Sequence, residues 1–286
     1  RLFKNIRINV LNGVLKNEEK IFIKYKLTPV INDYSQFIRW TSCLKNKKKE
    51  RLIIHFDTGM CRLGFQEEDT KKLYKKINII KKFNYVLIMS HLASSSNKND
   101  KYNVIQLNRF KKIKKLFSGF KYSLSASGGI FLGKKYHFDM VRPGINLYGG
   151  CQHFHNKIKN VVSVRCPIIA INQLYKGETC GYNRTFRAKK NMHTATIPMG
   201  YADGFGLRLS NKGFVFYGNT KLKMLGRISM DLIIIDITKV KNKIKLGDFV
   251  ELYNKKFTID KFADLTGTIP YRVITCISDR FSKNYL

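Results

Sequence analysis

Carboxylate, guanidinium, imidazole and hydroxyl side chains gather at a few points of this sequence, each just after a run of apolar residues. Asp57-Thr58-Gly59 ends one such run, with Arg62-Leu63-Gly64 close behind, and Ser90-His91 ends the next. Ser125-Ala126-Ser127-Gly128-Gly129 and Arg142-Pro143-Gly144-Ile145 follow in the same way. A guanidinium is a bidentate clamp for carboxylate or phosphate. Small-residue turns offer N–H and O–H groups to a phosphate. An imidazole moves protons near neutrality or sits hydrogen-bonded in a core. Asp-Thr-Gly is also the loop of proteases in which two carboxylates share a proton; a single copy between a strand and a helix argues against that chemistry.

A second group lies further on. Gly181-Tyr182-Asn183-Arg184, Gly200-Tyr201-Ala202-Asp203-Gly204 and Gly226-Arg227-Ile228-Ser229-Met230-Asp231 interrupt apolar runs with polar and aromatic residues. Turn chemistry or interface packing explains each taken singly. His153-Phe154-His155 has no third ligand nearby in sequence, so a metal site is not expected. The 6 cysteines are scattered with no C-x-x-C pair, which argues against a disulfide framework or thiolate metal site and fits a reducing compartment.

The elements that must position these residues read differently in the two halves. Six candidate strands, at 8–13, 26–31, 52–57, 85–90, 121–125 and 137–142, alternate with lysine-rich segments of helical spacing, such as that carrying Leu107, Phe110, Ile113 and Phe117. Alternation of this kind predicts a parallel sheet with crossover helices, and such folds collect their chemistry at the C-terminal ends of the strands. Four polar sites in order therefore predict one shared mouth. Beyond about residue 156 the pattern changes to strands punctuated by Gly-containing turns, without intervening helices, as in an all-β domain. The expected division is 1–155 and 156–286, with a linker around 148–159.

Composition narrows the class. Hydrophobic residues at 44% and only 5 Pro exclude a disordered chain. A net charge of +35 brings anionic partners into view: nucleic acid, phosphorylated cofactors or acidic lipids. Lysine runs at 45–49 and 111–115 fit solvated faces instead, and no helix-turn-helix, RRM or zinc-finger pattern supports nucleic-acid binding. No apolar run approaches the roughly 20 residues of a membrane span, and no signal peptide opens the chain, so a soluble, cytoplasmic protein is expected.

Taken in order, Asp57-Thr58-Gly59-Met60-Cys61-Arg62-Leu63-Gly64, Met89-Ser90-His91-Leu92-Ala93, the Arg142-Pro143-Gly144-Ile145-Asn146-Leu147-Tyr148-Gly149 stretch, Met199-Gly200-Tyr201-Ala202-Asp203-Gly204 and Gly226-Arg227-Ile228-Ser229-Met230-Asp231 resemble the alanine racemase family over essentially the whole chain. The resemblance implies a TIM-type (β/α) barrel followed by a β domain, in a homodimer whose sites are each completed by the partner's β domain. It implies pyridoxal 5'-phosphate (PLP) as cofactor, alanine as substrate and D-alanine for peptidoglycan as product. Arg142 would face the pyridine nitrogen, Arg62 would bind the substrate carboxylate, and His91 with the arginines would lower the pKa of the catalytic Tyr182 phenol. Ser127 with the backbone of Gly144 and Ile145 would hold the cofactor phosphate. Tyr182 would be the base on one face of the α-carbon, while Tyr201, Arg227 and Met230 would line the partner side of the pocket.

The same comparison shows departures. The first candidate strand looks like the family's third, so the barrel is expected to lack its first two β/α units, including the lysine that carries PLP. His55 stands where many relatives have a carbamylated lysine bracing the substrate-binding arginine. Asp279 stands where some have a phosphate-binding tyrosine, with Arg280 as a conceivable substitute. Two alternatives to an active racemase follow: a catalytically inactive, truncated protein of the same fold, and, less favoured, a basic nucleic-acid-binding protein.

Overall fold

A computed structural model describes residues 6–151 and 158–285, so the expected 155/156 boundary, the linker's centre and His153 and His155 lie outside the described residues. The chain divides into two compact units at Gly144/Ile145.

The first unit is an open parallel sheet with crossover helices. In chain order it runs β1 (Ile8–Val10), α1 (Glu19–Lys24), β2 (Leu27–Ile31), α2 (Tyr34–Cys43), β3 (Arg51–His55), α3 (Glu67–Tyr74), α4 (Ile77–Ile80), β4 (Tyr85–Met89), α5 (Tyr102–Leu116), β5 (Lys121–Ser123) and the single turn α6 (Ser127–Ile130). The strands lie side by side in sequence order, all parallel. Both faces of the sheet are buried. Leu52, Ile54, Val86 and Ile88 pack into the larger core with Phe56, Phe65, Phe110 and Phe117, while Val30, Ile53, Leu87 and Met89 form a smaller cluster with Met140. That is why β3 and β4 read as unbroken apolar runs. Helix α5 presents buried Asn103, Gln106, Leu107 and Phe110, a three- and four-residue spacing that gives one face. Its lysines at 111, 112, 114 and 115 are exposed, which leaves that run to solvent.

Five strands form instead of six. The expected strand at 137–142 is a turn, with Phe138 in the left-handed region at φ 54° and a single parallel bridge, Ala126 to Arg142. Its backbone still follows β5. Asp139 N and Met140 N both donate to Tyr122 O, and Arg142 N donates to Ser125 O at 2.9 Å. The Asp139 carboxylate takes the Tyr122 N–H at 2.9 Å, so side-chain bonding replaces part of the strand ladder.

The second unit is antiparallel. Strands β6 (Val164–Pro167), β7 (Ala170–Leu174), β10 (Met192–Ile197), β11 (Phe214–Tyr217), β12 (Thr220–Leu225), β13 (Ile233–Asp236) and β14 (Phe249–Tyr253) form one sheet in the order β6-β14-β11-β12-β13-β10-β7; β8 (Thr179–Cys180) and β9 (Phe186–Arg187) make a separate hairpin. Its two edges, β6 and β7, come from one continuous stretch. At the crossing Ile168 N donates to Asp248 O and Ile169 N to Thr196 O, so the sheet curls on itself. The unit is not purely β. Helix α7 (Ile259–Thr266), capped by Thr258 and stopped by Gly267 at φ 65°, buries Ile259, Phe262 and Ala263, and α8 (Pro270–Thr275) begins on a proline.

Phe56 is fully buried at the end of β3, with ring centroids 5.0 Å from Phe117 and 5.7 Å from Phe65. Phe56→Ala is expected to cost about 3–5 kcal/mol of unfolding free energy and Phe56→Leu clearly less, as read from urea-melt midpoints at unchanged slope.

Candidate functional site

The site is assembled at the C-terminal ends of β3, β4 and β5. The 57–65 loop is fixed by its own first residue. The Asp57 carboxylate accepts from Gly59 N and Met60 N at 2.7 Å, from Cys61 N at 2.8 Å and from Gln66 Nε2 at 2.8 Å. Burial alone would raise this carboxyl's pKa, but the N–H groups of Gly59 and Met60, then Gln66 and Cys61, outweigh it and hold the group below the ordinary range. The loop folds back on its strand, with Phe65 N donating to His55 O at 2.8 Å. At Gly64, φ 112°, a Cβ would lie 2.6 Å from Asp57 N, so only glycine closes this loop. Arg62 is thereby held at the tip, exposed, with no hydrogen bond or ion pair to any described residue.

Arg142 is the opposite case. Its guanidinium is deeply buried and donates to Ser123 Oγ, to Ser90 O at 2.6 Å and to Leu124 O at 3.3 Å, tying the ends of β4 and β5 together. Burial lowers its pKa to about 10, still well into the charged range at neutral pH. His91 lies beside it, its backbone carbonyl taken by Gln106 Nε2 at 3.0 Å. Burial first, then Arg142 and Arg62, depress the His91 pKa to about 4; burial, Arg142, His91 and Arg62 do the same to His55 against a weaker opposing pull from Asp57. Arg142 and Arg62 thus both act on the two histidines at the ends of β3 and β4. Thr58 and Ser90 hydroxyls meet at 2.8 Å beneath it.

At the next strand end Ser127 opens α6, and its Oγ accepts the Gly144 N–H at 2.8 Å, leaving its own hydroxyl proton free to donate elsewhere. Gly128 and Gly129 let this turn approach closely: a Cβ on either would come within 3 Å of Ser95 or Ser125. Gly144 is open by contrast, with Ser127 Oγ at 3.8 Å the nearest atom to a Cβ built there. Ile145 is buried and its carbonyl accepts from Gly150 N.

The second unit brings its own three loops together. Gly181 and Gly226 are both in the left-handed region, and a Cβ at Gly226 would sit 2.8 Å from Cys180 O, so the 181–184 turn and the 226–231 loop abut through glycine. Gly200 packs on Met230, where a Cβ would fall 2.1 Å from the carbonyl oxygen, and Tyr201 N and Ala202 N donate to Ser229 O and Met230 O. Tyr182, Tyr201, Arg227 and Met230 are the exposed side chains of this rim. Sequence reasoning missed what braces it. Buried Asp203 accepts from Arg280 Nη2 at 2.8 Å and Nε at 3.1 Å, while Arg280 Nη1 donates to Asp231 at 2.6 Å. Arg280 is therefore committed to two carboxylates and is not a substitute phosphate ligand; Asp279 pairs with Lys283 at 2.7 Å.

The chain thus carries a parallel α/β unit with arginines and histidines at its strand ends, followed by an antiparallel unit with an exposed aromatic rim. The chain matches the profile "Alanine racemase, N-terminal domain" over residues 2–152 and "Alanine racemase, C-terminal domain" over residues 161–285. It is 41% identical to the alanine racemase of Rickettsia bellii, across 98% of this chain and 70% of that protein, and 41% identical to that of Rickettsia africae, across 99% and 79%. The crystal structure of alanine racemase from Bartonella henselae with covalently bound pyridoxal phosphate superposes with a TM-score of 0.91 at 36% identity, covering 99% of this chain and 80% of that one. The chain belongs to the alanine racemase family.

Two outcomes test the site's electrostatics. The unfolded chain's histidines take up protons near about pH 6.5 whereas His55 and His91 resist until about 4, so the unfolded state binds more protons between these values. Stability should rise with pH through that window and level off above it, and His91→Gln should reduce the slope. Arg280→Met removes two donors from buried Asp203, leaving only Gly200 N, and is expected to lower the denaturation midpoint. Asp231→Asn, at an exposed partner, should move the same midpoint much less.

Proposed function

We propose that this chain interconverts L- and D-alanine, with PLP as cofactor and D-alanine for peptidoglycan as its product. The observation that carries the reading is the state of charge at the mouth. Two guanidiniums act on two histidines that burial keeps neutral, the carboxylate of Asp57 is engaged by four N–H donors, and Arg62 has no hydrogen bond or ion pair to a described residue. Such a mouth attracts anions and offers one unpaired bidentate donor to a carboxylate.

The residues fit the cofactor's anionic end: Ser127 keeps a hydroxyl proton to donate, and the backbone at Gly144 stands open beside it. Ser127 with the Gly144–Ile145 backbone would hold the phosphate, and Arg142, fixed by Ser90, Ser123 and Leu124, would meet the pyridine nitrogen as a donor that does not give up its proton. Bound PLP supplies an electron sink that makes the α-hydrogen of an amino acid acidic. Arg62 would clamp the alanine carboxylate and so fix which faces of the α-carbon are presented. Tyr182 would take or return a proton on one face, a task within a phenol's reach once it is placed at hydrogen-bond distance.

Tyr182, Tyr201 and Met230 are 67%, 48% and 56% exposed in the single chain. Large apolar and aromatic groups left in water on a braced rim support an interface role. In this reading the rim closes the mouth of a second copy, which makes the enzyme a homodimer. All 6 cysteines are free thiols, which supports a cytoplasmic, reducing location. No helix among the described residues is long and apolar enough to cross a membrane.

The full-length protein supplied with PLP and L-alanine is expected to yield D-alanine on chiral chromatography; complete absence of D-alanine sinks the reading. Arg62→Met should lower kcat/KM for alanine by at least about tenfold through KM, the loss of a charged hydrogen bond worth about 1.5–3 kcal/mol. Tyr182→Phe should lower kcat instead.

A further inference from the structure

We propose that one polar stripe of α5, made of Tyr102, Gln106 and Arg109, sets the Arg62 loop at a fixed height against the His91 segment, and so places the guanidinium that a substrate carboxylate meets. The substrate part rests on the racemase reading above; the clamp itself does not. The three residues stand four and three positions apart, which puts them on one line along the helix, beside the line of Leu107 and Phe110 that enters the core.

Each reaches the 57–65 loop, and one of them also grips the segment after β4. Tyr102 Oη donates to Gly59 O at 2.9 Å and Arg109 Nη1 to Thr58 O at 3.1 Å. Gln106 is fully buried and its amide has one admissible orientation. Oε1 accepts from Ala93 N at 2.8 Å, which leaves Nε2 to donate to His91 O at 3.0 Å and to Thr58 Oγ1 at 3.3 Å. Neighbouring Asn103 adds Nδ2 bonds to Asn97 O at 2.9 Å and Ser94 O at 3.3 Å. One helix therefore holds both segments.

Gly59 is what lets the helix come so near. Its φ is 126°, and a Cβ there would lie 2.2 Å from Tyr102 Oη and 2.7 Å from Arg109 Nη1. The polar backbone of the loop is then divided. N–H groups at 59, 60 and 61 go to the Asp57 carboxylate, and carbonyls at 58 and 59 go to α5. The Asp57 bonds join residues within 57–66, so they fix the loop's shape but not its height over β4. The α5 bonds supply the height, together with the Thr58–Ser90 hydroxyl pair, because the Gln106 amide that meets Thr58 also grips His91 O and Ala93 N. Arg62, three residues beyond Gly59, takes its position from this backbone. A loop ordered before its ligand arrives loses less conformational freedom on binding. Weakening the clamp therefore weakens the hold on the carboxylate and leaves proton transfer largely alone.

The test is the pair Tyr102→Phe/Arg109→Met, which withdraws the donors from both carbonyls at a half-buried and an exposed site and leaves the core stripe intact. In hydrogen exchange of the full-length protein, peptides covering 58–64 should exchange at least about threefold faster than in wild type, with β4 unchanged; unchanged exchange at 58–64 overturns the clamp. In steady-state assays of the PLP-loaded protein, KM for alanine should rise about three- to tenfold, the range of one or two hydrogen bonds, with kcat changed less than about twofold. Arg109→Lys, which can still donate to Thr58 O, should lose less than Arg109→Met. In an Arg62→Met background the pair should add less than about twofold to KM, because its effect acts through Arg62. A KM that the pair leaves unchanged, a loss carried by kcat, an Arg109→Lys no better than Arg109→Met, or a loss that multiplies in full with that of Arg62→Met overturns the positioning role. Inactive wild-type protein would sink the racemase reading, while exchange still decides the clamp.

Discussion

A buried guanidinium has to be surrounded by oxygen acceptors, and the first unit is arranged around meeting that demand for Arg142. Its donors reach Ser90 O, Leu124 O and Ser123 Oγ, groups that become available only where β4 and β5 have finished their ladders. Desolvating a charge of this kind is costly unless every donor is used, so the strand ends are locked at one height. The consequences extend outward. The fixed charge keeps His55 and His91 neutral, and with Arg62 it makes the mouth cationic although only one guanidinium is free. Ser127 and Gly144, flanking Arg142 in the fold, inherit their placement from the same strand end.

The second unit solves a different problem, how to hold three irregular loops against one another without a sheet between them. Glycines permit the approach and Arg280 secures it. Gly200 and Gly226 remove the Cβ atoms that would collide with neighbouring carbonyls, and one side chain from the C-terminal segment then bridges Asp203 and Asp231 across two of the loops. A buried carboxylate is tolerable here because Gly200 N and two Arg280 nitrogens satisfy it. The rim's aromatic groups stay exposed while the backbone beneath them is hydrogen-bonded from loop to loop.

Much of this was legible in the sequence because its signals are local. Apolar runs ending in polar residues located β2 to β5 and the loops after them, and the stretch with Leu107 and Phe110 located α5. The strand expected at 137–142 failed for a long-range reason: the Asp139 carboxylate, which bonds Tyr122 N, displaces part of the ladder that apolar Phe138 and Met140 suggest. Helix α7 and strand β12 were within reach. Thr258 and Gly267 are cap residues, and Thr220-Lys221-Leu222-Lys223-Met224-Leu225 begins with a period of two, but lysine-rich alternation is a weak signal in a chain so full of lysine. No local pattern announces Gln106 or Arg280. A glutamine within a helix reads as a solvated face, and a terminal arginine reads as surface; their roles exist only once α5 lies against the segments after β3 and β4 and the C-terminal segment returns to the 200–204 loop.

The contrast between Arg142 and Arg62 is where the fold turns into chemistry. Three Arg142 donors are held by Ser123, Ser90 and Leu124, whereas Arg62 has no hydrogen bond to any described residue. A cation held by several acceptors keeps its place and sets the local potential, whereas one without partners is open to a ligand but wanders unless its backbone is fixed. The loop from Asp57 to Phe65 supplies position through its backbone, with three consecutive N–H groups wrapped on one carboxylate and a glycine closing the turn. The result is a division between two guanidiniums: Arg142 is held by oxygens at the ends of β4 and β5 and sets the field there, while Arg62 sits exposed at the tip of a loop fixed by Asp57 and makes no hydrogen bond to any described residue.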